Sequence, residues 1–149
     1  VDASATALAV VNRAAHDNAV ADKVKTLQGD AFDLLKELRQ NRERFDVVIV
    51  DPPAFIKRKK DFAEGRLAYR RINEMAMQLL SRDGLLIACS CSHHLPRSVL
   101  LDAINQGARH LDRSVQVLAS LQQSACHPVH PAIPETEYLK GYVCRVLPS

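Results

Sequence analysis

Phe45-Asp46-Val47-Val48-Ile49-Val50 (FDVVIV), followed at once by Asp51-Pro52-Pro53, is the clearest strand pattern in this sequence. A run of apolar, β-branched residues of this kind predicts a strand that is covered on both faces, as in a parallel sheet. Two successive prolines lack backbone donors and hold the chain extended. We therefore expect the strand to end at Asp51 in a rigid elbow, with Asp51 and the neighbouring carbonyls facing a ligand pocket.

Helix and strand patterns alternate on both sides of this strand. The apolar spacing predicts four helices: Ala7 to Asn18 with Ser4 as N-cap, Phe32 to Gln40 capped by Asp30, Leu67 to Leu80, and Arg97 to His110. Further strands are predicted at Val1-Asp2 (the end of a strand), Val24–Gln28, Leu85–Cys89, Val115–Leu121 and Gly141–Val146. Since no helix separates the last two strands, they are expected to be antiparallel. The pattern indicates one α/β domain over residues 1–149 with a doubly wound sheet.

The composition excludes several classes of protein. The chain has 149 residues, of which 47% are hydrophobic and 25% charged, as in ordinary globular domains. No apolar run approaches the roughly 20 residues that cross a bilayer, so no membrane association is predicted. Four cysteines without a C-x-x-C pair indicate a reduced, cytoplasmic protein.

Chemistry-bearing residues recur where strands end. Ligands of open α/β sheets bind beyond the carboxyl ends of the strands, where Asp2, Asp30, Asp51 and the segment Cys89–Ser92 are all predicted to lie. A carboxylate after a second strand can accept hydrogen bonds from ribose hydroxyls, and one after a third strand can reach an adenine amino group. A helix-capping role alone is the plainer interpretation of Asp30.

The segment Cys89-Ser90-Cys91-Ser92 contains a candidate nucleophile, because a thiolate attacks ring carbons well. One of its two cysteines is expected to be a core residue, and so is Cys144. Phe55 could stack on a planar ring or belong to the core. A zinc site built from these cysteines and nearby histidines is not predicted, since their spacing matches no common zinc pattern.

Positive charge is concentrated after the proline elbow. Residues 55–71 hold seven bases and two acids, whereas the whole chain has a formal charge of +3. A solvated surface and a nucleic-acid contact are both open interpretations of this segment. Further along, the proline-rich loop near Pro131–Pro134 leads to Glu135, which could accept a proton.

Five motifs follow one another in an order and spacing that resemble those of a known family of proteins. They are FDVVIVDPPAF (45–55), KRKK (57–60), YRRIN (69–73), GLLIACSCS (84–92) and HPVHPAIPETEYLKG (127–141). Together they resemble the class I S-adenosylmethionine-dependent methyltransferases that form 5-methylcytidine in 23S ribosomal RNA. The resemblance covers essentially the whole chain. It implies a Rossmann-like sheet of order 3-2-1-4-5-7-6, S-adenosylmethionine as cofactor, ribosomal RNA as partner, and the possibility of a homodimer.

The resemblance also implies roles for individual residues. The implied catalytic residues are Cys91 as nucleophile, Asp51 as a group that orients the cytosine, and Glu135 as the final base. The implied cofactor-binding residues are Asp2, Asp30, Ala31, Asp51 and Pro52. The implied RNA-binding residues are Phe55, Lys57, Arg58, Lys59, Lys60 and Arg70.

Two features depart from the family pattern. The first strand and its glycine-rich loop are missing, so we expect a truncated domain of weak stability and low cofactor affinity. Cys126 stands where relatives more often have Asp. Two other functions stay open: methylation of another RNA position such as uridine C5, and a non-catalytic RNA-binding or assembly module. Related D-P-P enzymes that methylate guanine lack the C-S-C-S element, which argues against that branch.

Overall fold

The computed structural model describes residues 1–148, which fall into two compact units. The first unit is residues 1–43 and the second begins at Arg44. Each unit is described by itself below.

Two capped helices form most of the first unit. Helix α1 spans Ala5–Asp17, and the Ser4 Oγ atom accepts a hydrogen bond from the Ala7 backbone N–H at 3.2 Å. After a 3-10 turn at Ala21–Lys23, helix α2 spans Ala31–Gln40. Both helices and the Ser4 and Asp30 caps were predicted from the sequence and are confirmed.

The prediction of a strand at Val24–Gln28 was wrong. The structure has only a single parallel bridge between Asp2 and Gln28, with the Asp2 N–H donating to the Leu27 carbonyl at 3.2 Å. The Gly29 N–H in turn donates to the Asp2 carbonyl at 3.1 Å.

The second unit contains a four-stranded mixed sheet. Its strands are β1 (Phe45–Val50), β2 (Leu80–Ser90), β3 (Arg113–Gln122) and β4 (Lys140–Pro148). They lie in the order β1-β2-β4-β3, with β1 parallel to β2 and the other two pairings antiparallel. The predicted antiparallel pair at the end of the chain is confirmed. The order matches strands 4-5-7-6 of the sheet that the resemblance implied.

Two helices pack against each other and against this sheet. They are α3 (Phe62–Met77) and α4 (Arg97–Arg109). Their buried side chains form a core with those of β2 and β4 that includes Tyr69, Ile72, Ala76, Leu86, Ala88, Leu100, Ile104, Cys144 and Val146. This apolar core fixes the positions of the strand ends described below.

The boundary between α3 and β2 differs from the prediction. The helix ends at Met77 rather than Leu80, and the strand starts at Leu80 rather than Leu85. Asp83-Gly84, taken from the sequence as a helix stop, instead lies in an irregularity within β2. Asp83 has a φ of 65°, and between the β1–β2 pairs at Leu80 and Leu85 the register shifts. Asp-Gly signals a turn without specifying the elements that it joins.

The expectation that β1 is covered on both faces was also wrong. Phe45, Val47 and Ile49 form one face of the strand and are 39%, 48% and 65% exposed, respectively. Val50, which points to the opposite face, is only 6% exposed. Helix α3 packs on β1 from that buried side, and among residues 44–148 it is this face of the strand that is covered.

Candidate active site

The loops after β1 and β2 lie side by side. Since the two strands are parallel neighbours, their carboxyl ends meet at one edge of the sheet. The backbone N–H of Ile56 donates to the Ser92 Oγ atom at 3.2 Å. The residue directly after the D-P-P-A-F segment is therefore hydrogen-bonded to the C-S-C-S segment, and the two segments lie close together as the sequence predicted.

Tyr69 on α3 organises this junction. Its Oη atom accepts hydrogen bonds from Ser90 Oγ at 2.9 Å and from the Phe55 N–H at 3.4 Å. It lies 2.8 Å from Ser92 Oγ, and its single proton is free to be donated there. The Tyr69 side chain is fully buried, so this network is shielded from water.

Helix α3 also contacts the loop after β1 through a glycine. A Cβ atom on Gly65 would lie 2.3 Å from Ile56 Cγ1 and 3.0 Å from the Phe55 carbonyl oxygen. Only a residue without a side chain permits this approach. The loop is thus held between α3 on one side and the end of β2 on the other.

Side chains alternate along the C-S-C-S segment. Ser90 and Ser92 are buried on the Tyr69 side, whereas Cys89 and Cys91 are both half-buried. The expectation that one of these two cysteines is a core residue was wrong, because the alternation gives them similar exposure. The prediction for Cys144 is confirmed: its side chain is fully buried, and burial raises the pKa of its thiol to about 11.

The two candidate thiols differ in electrostatic environment. Burial, together with the negative charge of Asp51, raises the pKa of Cys89. The carbonyl of Ser92, the residue after Cys91, accepts a hydrogen bond from the Lys140 ammonium group at 2.8 Å. Asp51 itself is exposed. The neighbouring Pro52 is buried and fixes the start of the elbow.

Lys140, at the start of β4, reaches across this segment. It pairs with Ser90 in the sheet, and its Nζ atom donates to the Ser92 carbonyl at 2.8 Å. Burial and the neighbouring Arg97 lower the pKa of Lys140, while Cys91 and Glu137 raise it in part. A lysine here is therefore partly desolvated and surrounded by charges of both signs.

The loop between β3 and β4 is organised by Gln123. Its Nε2 atom donates to the carbonyls of His127 and Thr136 at 2.7 and 2.8 Å, and its Oε1 accepts from the Tyr138 N–H at 3.3 Å. Glu135 lies on an exposed 3-10 turn of this loop, Pro134–Thr136. Within residues 1–148, Glu135 makes no hydrogen bond or ion pair that links it to Cys91.

The basic segment is a solvent-facing surface. Lys57, Arg58, Lys59 and Lys60 are all exposed, and Arg58 pairs with Asp61 at 3.0 Å. The Phe55 ring lies edge-on to the Tyr69 ring, with centroids 4.8 Å apart, and stays half-exposed. Arg70 is half-buried on α3.

Two of the three acids predicted to bind the cofactor, Asp2 and Asp30, lie in the first unit. The Asp2 Oδ1 atom accepts a hydrogen bond from the Ser4 N–H at 2.7 Å. Asp30 Oδ1 accepts from the Phe32 and Asp33 N–H groups at 2.8 and 3.3 Å, so Asp30 does cap α2, and Ala31 is the first residue of that helix. Both carboxylates are exposed.

Metal-binding clusters and membrane-spanning helices are both absent from the described residues. No group of three or more His, Cys, Asp or Glu side chains in that part of the chain is arranged to hold a metal ion. None of its helices combines the length and apolar character needed to span a membrane. A shallow depression lined by Arg44, Arg82 and Arg113 lies at the amino-terminal ends of β1 and β2, away from all of the predicted site residues.

Sequence reasoning missed three contributors to this site. Tyr69 was quoted only as part of a motif, although Tyr69, Ile72, Asn73 and Ala76 form a buried helical stripe that contains two polar members. A polar residue in such a stripe signals a buried hydrogen bond. Lys140 could have been noted as a charge at the start of an apolar strand. Nothing in the sequence pattern indicated Gln123.

Comparison with solved structures shows which class of protein has this fold. The structure superposes on SMU.776, a proposed methyltransferase solved in complex with S-adenosylhomocysteine (SAH), with a TM-score of 0.67 and 23% sequence identity. The match covers 84% of this chain and 33% of that one. The fold is therefore the Rossmann-like fold of S-adenosylmethionine-dependent methyltransferases.

A family model described as RNA cap guanine-N2 methyltransferase matches residues 1–145, and the chain belongs to this family of RNA methyltransferases. It is 36% identical over 148 residues to ribosomal RNA large subunit methyltransferase I of Serratia proteamaculans. It is 39% identical over 125 residues to the protein of the same name in Aliivibrio fischeri. These matches cover 99% and 84% of this chain but only 37% and 32% of the two relatives, about a third of their length.

Proposed function

We propose that this chain is the catalytic part of an enzyme that methylates C5 of a cytosine in large-subunit ribosomal RNA, with S-adenosylmethionine as methyl donor. The observation that carries the proposal is the hydrogen-bonded junction of the D-P-P-A-F loop with the C-S-C-S segment. This junction holds a half-buried thiol and a carboxylate at one edge of the sheet. The names of the relatives support ribosomal RNA as the substrate class.

Cys91 is the proposed nucleophile in preference to Cys89. Asp51 and burial raise the pKa of Cys89, which disfavours its thiolate. Cys91 instead precedes Ser92, whose carbonyl accepts a hydrogen bond from the Lys140 ammonium group at 2.8 Å. Because the thiolate is the reactive form of cysteine, this difference in local charge favours Cys91.

The reaction needs an enzyme nucleophile, because C5 of cytosine is not nucleophilic enough to attack a methyl group directly. The Cys91 Sγ atom bonds to C6, and the displaced electron pair makes C5 reactive. C5 then receives the methyl group of the cofactor's sulfonium. A base next removes the proton from C5, the C5–C6 double bond forms again, and Sγ leaves as thiolate.

Two carboxylates have proposed roles in these steps. Asp51, exposed at the elbow, orients the cytosine through its amino group or N3. Glu135, exposed on the loop before β4, is the proposed base for the C5 proton. The target base must be unstacked from its RNA to reach Cys91.

The residues proposed for the cofactor have suitable donors and acceptors. Asp2 and Asp30 each use Oδ1 in a local hydrogen bond, and within the described chain Oδ2 makes none. Ribose hydroxyls and an adenine amino group are donors that such oxygens accept. We propose Asp2 for the ribose, Asp30 with Ala31 for the adenine, and Asp51 with Pro52 beside the methyl group.

RNA contacts are proposed for the basic segment. Lys57, Lys59 and Lys60 present ammonium groups to solvent, which suits the phosphates that flank a target nucleotide. Arg58 and Arg70 are proposed to add to this surface. Phe55, half-exposed beside Tyr69, is proposed to stack on a base.

The test is methylation of unmodified large-subunit ribosomal RNA by the intact protein, with modified nucleosides identified by mass spectrometry. We expect 5-methylcytidine from the wild type and from Cys89→Ala, and none from Cys91→Ala. RNA that carries 5-fluorocytidine should trap a covalent complex at Cys91, because fluorine at C5 cannot leave as a proton. Full activity of Cys91→Ala would overturn the proposed mechanism.

Methylation of guanine N2 is a second candidate, favoured by the description of the matched family. An exocyclic amine attacks the methyl group itself, so it needs no thiol adduct. In that case the product would be N2-methylguanosine, Cys91→Ala would keep its activity, and no fluorinated RNA would be trapped. Formation of 5-methyluridine instead would point to uridine C5 with the same thiol chemistry.

A further inference from the structure

Three arginines line the shallow depression at the amino-terminal ends of the strands in the second unit. They are Arg44, directly before β1, Arg82, near the start of β2, and Arg113, the first residue of β3. Among the described residues, the lining also includes one acidic side chain, Asp112. The depression is therefore basic, and it lies at the opposite end of the strands from the candidate active site.

The fold exposes Arg82 through the irregularity in β2. Between two successive pairs with β1, residues 81–84 of β2 lie opposite the single residue Asp46. This part of β2 therefore leaves the regular ladder, and Arg82 is exposed on it. Arg44 is exposed as well, so both guanidinium groups are accessible from solvent.

Arg113 is held in place at the depression. Its guanidinium donates to the carbonyls of Met77 and Leu80 at 2.8 and 3.4 Å. These bonds use two of its five N–H donors, so three remain for other acceptors. Arg113 is half-buried, and burial together with the like charge of Arg44 lowers its pKa. Two positive charges thus share a site where one of them has lost part of its hydration.

Carboxylates of the second unit do not neutralise this cluster. Within residues 44–148, neither Arg82 nor Arg113 forms an ion pair, and the nearby Asp83 is paired with Arg145 instead. A bound anion would reduce the repulsion between the arginines. The planar guanidinium matches a phosphate group in particular, because two of its N–H groups can donate to two phosphate oxygens.

The shape of the depression favours a polymer over a small molecule. Small-molecule sites are usually enclosed and mostly apolar, and they bury most of the ligand. This depression is open, and its cations come from the starts of three different strands. Such a surface suits a chain of phosphates that lies across it, as in the backbone of a nucleic acid.

We propose that Arg44, Arg82 and Arg113 form a second RNA contact, which binds backbone phosphates away from the target nucleotide. The inference rests on the proposed function for RNA as the partner. Seven chain steps along β1 separate Arg44 from Asp51, which is roughly 23 Å at about 3.3 Å per residue. The RNA must therefore extend several nucleotides beyond the target base to reach both places.

The test measures binding of the intact protein to a transcript of large-subunit ribosomal RNA at several salt concentrations. The variant combines Arg44→Gln with Arg82→Gln and leaves Arg113, which also holds the end of α3. Each phosphate contact contributes about 0.7–0.9 to the slope of log K against log salt. We expect the slope to become shallower by about 1–2 and the affinity to fall about five- to thirtyfold at about 0.1 M salt.

Arg13→Gln combined with Arg39→Gln is the matched control, since it removes two exposed arginines of α1 and α2 outside the depression. Its slope and affinity should stay close to those of the wild type. An equal loss in this control would overturn the inference, because net charge alone would then explain the effect. If the double variant does not fold, Arg82→Gln alone should give about half of the change in slope.

Two further outcomes would overturn the inference. One is a double variant that melts like the wild type and binds RNA with an unchanged slope. The other involves inorganic phosphate, added at millimolar concentration while Tm is measured. If phosphate stabilises the wild type but not the double variant, and both bind RNA equally well, the depression is a site for the free anion.

Methyl transfer separates this inference from the proposed function. If both hold, the double variant has a higher KM for RNA and an unchanged kcat, because Cys91 and Asp51 are intact. A shallower salt slope in a protein that makes no 5-methylcytidine would uphold the phosphate site and reject the proposed reaction. Cys91-dependent 5-methylcytidine formation with unchanged KM and slope would do the reverse.

Discussion

The Oη atom of Tyr69 and the Oγ atom of Ser92 lie 2.8 Å apart in the protein interior, although 23 positions separate them in the sequence. Ser92 Oγ also accepts the Ile56 N–H, so one buried hydroxyl pair connects helix α3, the loop after β1 and the end of β2. The geometry of the candidate site therefore depends on a residue that carries no part of the proposed chemistry.

Tyr69→Phe should destabilise the protein by about 1–3 kcal/mol, because it removes the hydroxyl that bonds to Ser90 Oγ and Ser92 Oγ in the protein interior. Denaturant unfolding followed by circular dichroism measures this loss. Tyr138→Phe, which removes a hydroxyl from a half-exposed side chain, is the control and should change stability by less than about 0.5 kcal/mol. Equal losses in the two variants would contradict the role of Tyr69.

Gly65→Ala and Gly107→Ala should have opposite effects, although both glycines are in helices. Alanine is favoured over glycine in a helix by about 1 kcal/mol. At Gly65 a clash with Ile56 Cγ1 and the Phe55 carbonyl outweighs this gain, whereas at Gly107 the nearest atom is the movable Met77 methyl group at 3.1 Å. We expect a lower Tm for Gly65→Ala and an unchanged or higher Tm for Gly107→Ala. A stabilised Gly65→Ala would show that helix and loop do not meet there.

Cys126 should be the first cysteine to react with iodoacetamide. It is exposed, and hydrogen bonds from Ser124 at 2.8 Å and His127 at 3.2 Å lower the pKa of its thiol, so its thiolate forms at lower pH. Cys144 should be the last, since it is buried and its pKa is about 11. His127→Leu should slow Cys126 without affecting Cys144. Peptide mass spectrometry over time gives the order, and faster labelling of Cys144 would contradict the described burial.

Asp83 and Arg145 form an ion pair that should make stability sensitive to acid. The Arg145 guanidinium lowers the pKa of Asp83, so the contribution is present above the unfolded value of about 4 and is lost as pH falls through the lower folded value. On acidification from about pH 5 to about pH 3, Asp83→Asn should therefore lose less Tm than the wild type. Asp22→Asn, an exposed carboxylate outside the ion pairs described for residues 1–148, should behave like the wild type. If the Tm of Asp83→Asn falls as steeply on acidification as that of the wild type, the ion pair between Asp83 and Arg145 does not cause the acid sensitivity.

Local sequence signals predicted much of the fold. The limits of β1 are as predicted, and Ser4 and Asp30 cap their helices because side-chain oxygens at those positions satisfy free N–H groups. Val24–Gln28 did not form a strand, since a strand needs a partner that the sequence pattern does not report. For the same reason, the apolar run of β1 did not show that Val47 and Ile49 would stay exposed.

The candidate site was predictable at the level of segments. The rule for parallel strands predicted that the segments at Asp51 and Cys89–Ser92 would lie close together, and the bond from Ile56 to Ser92 confirms it. The sequence could not show that Lys140 reaches Ser92 or that Tyr69 joins the two loops. Those contacts depend on the packing of α3 and on the pairing register of β4, which arise only in the folded chain.

The alternation of buried hydroxyls and half-buried thiols in C-S-C-S makes its length a constraint on mutation. Inserting one residue between Ser90 and Cys91 would exchange the two sides of the segment from that point on. A sulfur would then face Tyr69, and a serine would take the outward place of the thiol. Conservative replacements in this stretch should therefore be tolerated more readily in evolution than any change in its number of residues.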